Sequence, residues 1–257
     1  MKNMYKFLAN TIFLGKDVHF LPECHSTNDK ALSFVKKRQI KEGGIIICDF
    51  QSKGKGQRGN EWLSEAGKNL TFSIVLSPNF LDISEQFLLN MAISNALRRL
   101  LGEYIYDLKV KWPNDILVPG EGKLAGILIE NVFGAKGWEY AVVGIGINVN
   151  QVKNLHPKAS SMARITGSQF ELEELFKLVI IQIEQSYIRL KRGKENEIRD
   201  EYLNHLFLLD KKSRFESIEG IFEGTIRGVD KIGNLIVEKT GGEKNQFGIK
   251  ELRFTEG

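Results

Sequence analysis

Apolar positions fall into alternating blocks of two kinds. Ser26-Thr27-Asn28-Asp29 forms a capping cluster, and Ala31, Leu32, Phe34 and Val35 follow at helical spacing. This predicts a helix over 26–37. Gly44 to Phe50 holds the apolar run Ile45-Ile-Ile-Cys48 and reads as a buried strand. The stretch 51–68 is glycine-rich and charged, a long loop, and 69–76 reads as a strand with β-branched residues. Helical periodicity returns over 84–101 through Phe87, Leu88, Met91, Leu97 and Leu101. Several strands and glycine turns occupy 110–150, and 171–192 predicts an amphipathic helix that ends in a basic cluster. From about Phe207 the chain changes to short strands separated by turns at 230–234 and 241–245. The expectation is a domain over 1–206 and a small all-β domain over 207–257.

Two of these strands carry unusual faces. In Ala141 to Asn150 the odd positions Ala141, Val143, Ile145, Ile147 and Val149 are apolar and predict a core face. The alternate positions Gly144, Gly146, Asn148 and Asn150 pack poorly, which marks either a bend or the close approach of a ligand or backbone. Lys111 to Val118 and Lys123 to Glu130 flank Pro119-Gly-Glu-Gly122, a hairpin signal. Simple pairing across that turn puts Val118 opposite Lys123 and Asp115 opposite Gly126. Taken singly, each candidate has a plainer reading. Asn114-Asp115 suits a turn, Ser26-Thr27 a helix cap, Trp62 the core, and a strand lysine a solvated face.

Composition excludes some classes. A chain of 257 residues with 42% hydrophobic and 26% charged positions is neither disordered nor collagen-like. Lys plus Arg total 36 against 32 Asp plus Glu, and a net +4 does not by itself predict nucleic-acid binding. Cys24 and Cys48, with histidines at 19, 25, 156 and 205, lack metal-ligand spacing, so no metal site is expected. A reducing cytoplasm is the expected compartment. Lys2 and Lys6 before Phe7 to Gly15 mimic a weak signal peptide, but Asn10 and Thr11 interrupt it. No apolar run approaches the ~18 residues of a spanning helix.

Gly54-Lys-Gly56-Gln-Arg-Gly59 matches the G-x-G-x-x-G dinucleotide fingerprint and follows a strand. That fingerprint must open a helix, and here Asn60-Glu61-Trp62-Leu63-Ser64 leads into another strand, so the dinucleotide reading fails. Three glycines with Lys53, Lys55 and Arg58 still suit a loop that folds over an anion.

In chain order, five segments together resemble the biotin–protein ligases. They are Ser26-Thr27-Asn28; Gln51 with the glycine loop and Trp62; Lys111-Trp-Pro-Asn-Asp115; Gly122-Lys-Leu-Ala-Gly-Ile-Leu-Ile-Glu130; and Gly144-Ile-Gly-Ile-Asn148. The resemblance implies an α+β fold, a mixed β-sheet flanked by helices and related to class II aminoacyl-tRNA synthetases, with a small C-terminal SH3-like barrel. It implies ATP-dependent, AMP-forming transfer of biotin to a lysine of a biotin carboxyl carrier protein through biotinoyl-AMP, with Mg²⁺ accompanying ATP. Lys123 and Lys55 are then the catalytic candidates. Ser26, Thr27, Asn28, Gln51, Lys55, Gly56, Gln57, Lys123 and Gly126 fall on biotin-binding positions. Arg58, Asn60, Trp62, Asn114, Asp115 and Asn148 fall on the adenylate side. Many relatives read Gly-Arg-Gly-Arg-Arg-Gly in the loop. Lys55 keeps a charge but loses the bidentate fork, and Gln57 loses a charge, so looser closure is expected. A lipoate–protein ligase on the same fold and a non-catalytic biotin or nucleotide sensor are the alternatives. Only about 25 residues precede Ser26, too few for a helix-turn-helix module, so neither specific DNA binding nor repression is expected. The expected partners are the carrier protein and no membrane, with the chain a monomer or homodimer.

Overall fold

The computed structural model describes residues 10–135 and 137–255. The signal-like pattern in residues 1–9 lies outside the described residues, as does the side chain of Arg58. Seven strands form the main sheet: β1 (Val18–Cys24), β2 (Ile45–Gln51), β3 (Leu70–Leu76), β4 (Lys109–Lys111), β5 (Asp115–Val118), β6 (Gly122–Gly134) and β7 (Gly137–Ile147). Their order is β1-β2-β3-β7-β6-β5-β4. β1 and β2 pair in parallel and the other neighbours are antiparallel, so the sheet is mixed.

The apolar run in β2 is explained by burial on both faces. Ile46, with Val75 and Val142, packs against Ala31 and Val35 of α1 (Thr27–Lys36). Ile45 and Ile47 join the larger core on the opposite face, under α2 (Phe87–Leu101) and α4 (Leu172–Lys191). In β7 the odd positions Ala141 to Ile147, with Val149, belong to that larger core, as their alternation predicts. Gly144 and Gly146 therefore share the α1 face of the sheet. The predicted hairpin forms with Asp115 opposite Gly126, but the register slips by one residue between Ile116 and Leu117. Val118 consequently faces Gly122, and Lys123 faces Leu117 instead of Val118.

Helix α3 (Met162–Thr166) is a short turn of helix, and α5 (Glu195–Asn204) follows α4 after a brief break. A second, antiparallel sheet contains β8 (Lys212–Ser217), β9 (Gly220–Val229), β10 (Leu235–Lys239), β11 (Lys244–Phe247) and β12 (Arg253–Phe254). Its order, β11-β10-β9-β8-β12, leaves β11 and β12 as open edges, so it does not close on itself by strand pairing. Phe215, Ile226, Leu235 and Val237 of this sheet join the apolar core under the main sheet. Among the described residues no helix is long and apolar enough to cross a membrane.

The turn between β9 and β10 docks the second sheet on the first. Trp112 Nε1 donates to the Gly233 carbonyl at 2.9 Å, and a side-chain atom at Gly233 would lie 2.5 Å from Phe87. Only a bare backbone fits there. Trp112→Phe keeps an aromatic ring of smaller volume but leaves a buried carbonyl without its donor. It should cost roughly 1–3 kcal/mol, read as a lowered midpoint in urea unfolding at unchanged slope.

Candidate functional site

A cleft opens on the α1 face where β3, β6 and β7 lie side by side. Its floor is nearly bare. Gly126 of β6 pairs with Gly146 of β7, while Thr71 and Ser73 of β3 sit opposite Gly146 and Gly144. Ser26, Thr27, Asn28 and Gln51 line the cleft from the α1 side, and Lys55, Gly56, Gln57 and Trp62 line it from the loop. Lys123, Gly126 and Asn114 complete it.

Ser26 occupies the cap position of α1 in an extended conformation, but its side chain makes no capping bond. The Thr27 amide is bound by Gln51 Oε1 at 2.7 Å. The helix start is thus served partly from another strand, and the Ser26 hydroxyl is not committed to capping. Ser73 Oγ lies 2.7 Å from Thr27 Oγ1 and 2.6 Å from Asn28 Oδ1. Asn28 Nδ2 reaches Glu130 at 2.8 Å. These groups make a neutral, hydrogen-bonding wall closed by one carboxylate.

The loop is folded down. A Lys55–Glu61 bridge and the bonds Gly56 N to Asn60 O and Trp62 N to Gly54 O surround a 3₁₀ turn over Gln57–Gly59. Lys55 Nζ bonds Asp29 Oδ1 at 2.6 Å, and that hydrogen bond lifts the lysine above its ordinary pKa. Lys55 therefore latches the loop to α1 while also lining the cleft.

Trp62 lies across the floor. A side-chain atom on Gly146 would meet its indole at 2.3 Å, and one on Gly126 would meet Lys123 Nζ at 2.8 Å and the indole at 3.3 Å. The glycines thus admit side chains of the chain itself. Trp62 Nε1 is buried without a hydrogen-bond partner. With the indole seated, the free interior is about 40 Å³, far below the ~300–1,000 Å³ of typical ligand pockets.

A second cavity of about 410 Å³ adjoins the first and shares Gly56, Gln57, Trp62, Asn114 and Lys123 with it. Asn60, Lys111, Asp115 and Arg253 of β12 also line it. Lys123 Nζ bonds Asp115 Oδ1 at 2.7 Å and stands 5.4 Å from the centroid of the Trp62 ring. Burial pulls the Lys111 ammonium below its ordinary pKa, Asp115 opposes this, and Lys158 and Lys123 reinforce it. Glu61 lines the chamber as well, so Lys111, Lys123 and Arg253 face two carboxylates and the lining carries a small cationic excess.

Of the sequence-derived candidates whose side chains are described, Asn148 alone stands apart from both cavities. Its amide donates to Leu124 O at 2.8 Å and its Nδ2 lies 3.4 Å from Lys123 O, so it braces the start of β6. Asn114 Nδ2 bonds the Ile127 carbonyl and ties β5 to β6. Sequence reasoning missed Ser73, Glu130, Lys111 and Arg253. A signal for Ser73 existed: Thr71 and Ser73 alternate with Phe72 and Ile74, giving β3 one polar face. Among the described residues, no group of three or more His, Cys, Asp or Glu side chains could hold a metal ion.

Gly146→Val would force the indole off the floor. The expected outcome is a red-shifted tryptophan emission, since Trp112 and Trp138 stay buried at 3% and 4% exposure. An emission spectrum identical to that of the unmutated chain would contradict this seating of Trp62.

Comparison with known proteins fits this geometry. The biotin–[acetyl-CoA-carboxylase] ligase of Paracoccus denitrificans is 28% identical over 233 residues, covering 87% of this chain and 95% of that protein. The bifunctional ligase/repressor BirA of Bacillus subtilis (strain 168) is 26% identical over 230 residues, covering 86% of this chain and 70% of that protein. The solved structure of the biotin protein ligase from Aquifex aeolicus in complex with biotin and ATP superposes with a TM-score of 0.77 at 25% identity. That match covers 93% of this chain and 100% of the other. The sequence profile described as the biotin/lipoate A/B protein ligase family matches residues 21–148, a span that holds every wall of the cleft. Residues 21–148, which hold the cleft, are a domain of the biotin/lipoate A/B protein ligase family.

Proposed function

We propose that this chain is an ATP-dependent biotin–protein ligase that acts on a lysine of a biotin carboxyl carrier protein. One observation carries the reading: Lys123 stands where the neutral, hydrogen-bonding cleft meets the chamber with its small cationic excess. Hydroxyls and amides suit the uncharged ureido head of biotin. Cations suit the phosphates of ATP. The junction is where a carboxylate and an α-phosphate must meet.

A carboxylate is a poor acceptor for an amine until it carries a leaving group. In the first step a carboxylate oxygen of biotin bonds to the α-phosphorus of ATP. The bond to the bridging oxygen breaks and pyrophosphate leaves. In the second step the neutral amine of the acceptor lysine attacks the acyl carbon, loses a proton, and expels AMP. Mg²⁺ enters with ATP as part of the substrate, carried on its phosphates. Bringing two anions to ~4 Å costs roughly 4 kcal/mol per charge pair at an effective dielectric near 20. The Lys123 ammonium offsets that repulsion and the charge that develops in transfer. Lys111 and Arg253 provide charge where pyrophosphate departs. Gln51, Ser26 and Thr27 orient the head group, and the loop, held by Lys55, covers the adenylate with Trp62, Arg58 and Asn60. Asn114, Asp115 and Asn148 hold the strands that carry Lys123.

The finer reading of the fold follows the same line. Residues 1–206 form a catalytic unit of class II aminoacyl-tRNA synthetase type, and 207–257 form an SH3-like unit. The antiparallel second sheet and its docking through Trp112 support this division. We read the enzyme as cytoplasmic.

Incubation with biotin, MgATP and a carrier domain, read by intact mass, should add one biotinyl group to the carrier. Modification by lipoate in preference to biotin would replace the reading with its closest rival. Lys123→Ala should slow adenylation ~100-fold or more with little change in fold, the loss expected for a charged donor acting on developing charge. A variant with native circular dichroism and an undiminished rate of pyrophosphate release would refute the role of Lys123.

A further inference from the structure

The neutral wall of the cleft has a fixed hydrogen-bond direction. Asn28 Nδ2 lies 2.8 Å from Glu130 Oε2 and 3.2 Å from the Leu128 carbonyl. A carboxylate and a carbonyl only accept, so the amide nitrogen faces them and Oδ1 faces Ser73. Ser73 has one proton and two neighbours, Asn28 Oδ1 at 2.6 Å and Thr27 Oγ1 at 2.7 Å. Asn28 Oδ1 cannot donate, so the Ser73 proton goes there. The Thr27 hydroxyl must then donate to Ser73, and only its lone pairs remain for the cleft. All three side chains are buried, Ser73 at 0%, Asn28 at 3% and Thr27 at 4% exposure, so water does not rescue a wrong orientation.

We propose that Glu130 sets Thr27 as an obligate hydrogen-bond acceptor, acting through Asn28 and Ser73, and so selects a head group that presents an N–H there. The inference rests on the biotin reading and deepens it, since the ureido group offers such a donor. Glu130 does not line the cleft, so it is a positioning residue. Of the two acceptors on Asn28 it is the shorter and the charged one, and charge-assisted bonds are roughly twice as strong as neutral ones. Without it the Leu128 carbonyl, the longer and neutral acceptor, is all that holds the Asn28 nitrogen in place, and the amide turns over more readily. Its nitrogen would then donate to Ser73, Ser73 would donate to Thr27, and the Thr27 proton would face the ligand's own N–H.

Calorimetric titration of the full chain with biotin, and separately with MgATP, tests this. Glu130→Leu should weaken biotin ~10-fold, equivalent to about 1.4 kcal/mol, and leave nucleotide affinity unchanged. Glu130→Gln can still accept from Asn28 and should stay within about threefold. Should Glu130→Leu melt early, Ser73→Ala removes the group that takes the Thr27 proton, frees that hydroxyl to turn its proton into the cleft, and should weaken biotin comparably. In a Thr27→Val background Glu130→Leu should cause no further loss, because its effect passes through the Thr27 hydroxyl. Unchanged biotin affinity in Glu130→Leu, or an equal further loss without that hydroxyl, would overturn the proposal while the ligase reading stands. An unmutated chain that fails to bind biotin would overturn both.

Discussion

The site depends on side chains that are missing from one face of two neighbouring strands. On the α2–α4 side, β7 presents Ala141, Val143, Ile145 and Ile147 to the core. On the α1 side it presents Gly144 and Gly146, with Gly126 of β6 alongside. Helix α1 covers only part of that strip, reaching Ile46, Val75 and Val142. What remains is a trough with a backbone floor, and the side chains of Asn28 and Trp62 drop into it. A side chain at Gly144 would meet Asn28 Oδ1 at 2.2 Å, which would break the link to Ser73. The hydrogen-bonded wall, the seat of Trp62 and the position of Lys123 all follow from the same three glycines.

Residues 111–115 join that trough to the rest of the molecule, each with a different partner. Lys111 lies over the Phe254 ring at 5.0 Å, and Trp112 bonds Gly233. The Pro113 carbonyl accepts from Asn90 at 2.6 Å and from Tyr202 at 3.2 Å. Asn114 ties to Ile127, and Asp115 bonds Lys123. Five consecutive residues thereby connect the second sheet, α2, α5 and β6 to the lysine at the junction. A cluster that reads in sequence as a turn is the place where the two sheets and the site are put in register.

This division explains what could be read from the sequence. Local patterns sufficed for α1, β2, β3, α2 and α4, because each carries its own period. They sufficed for the core face of β7 and for the Asp115–Gly126 pairing. The slip after Ile116 escaped because a bulge leaves no mark in an alternating pattern. Helix α5 escaped because its polar composition shows a weak apolar stripe, with Ile198 and Tyr202 its only buried residues. Most of the cleft residues were recognisable from five motifs taken together, though none would have stood alone. Arg253 was not, and Glu130 closed one of those motifs with no role assigned to it. Glu130 acts at a distance of two side chains, and Arg253 arrives from a sheet more than a hundred residues away in sequence. Nor could spacing have shown that glycines at 126 and 146 seat a tryptophan of the same chain.

The contacts that hold Trp62 and Lys123 in the trough are individually weak, and their magnitudes say how the site opens. A cation over an indole is worth roughly 0.5–1 kcal/mol at a partly exposed position. The Lys123–Asp115 pair, at 32% and 26% side-chain exposure, belongs to the partly exposed class in which an ion pair contributes about 0–1 kcal/mol. The indole nitrogen, buried without a partner, subtracts from the stability of the seat. Against these stands one anionic ligand group on Lys123 in a space that the loop closes to water, where a charge-assisted bond contributes roughly 1.5–3 kcal/mol. Exchange of self-contacts for ligand contacts is therefore downhill at Lys123. The cost falls on Trp62, which must find a new surface when it lifts. A planar base in the adjoining chamber would supply that surface, so the same indole can fill the empty trough and cover the occupied one.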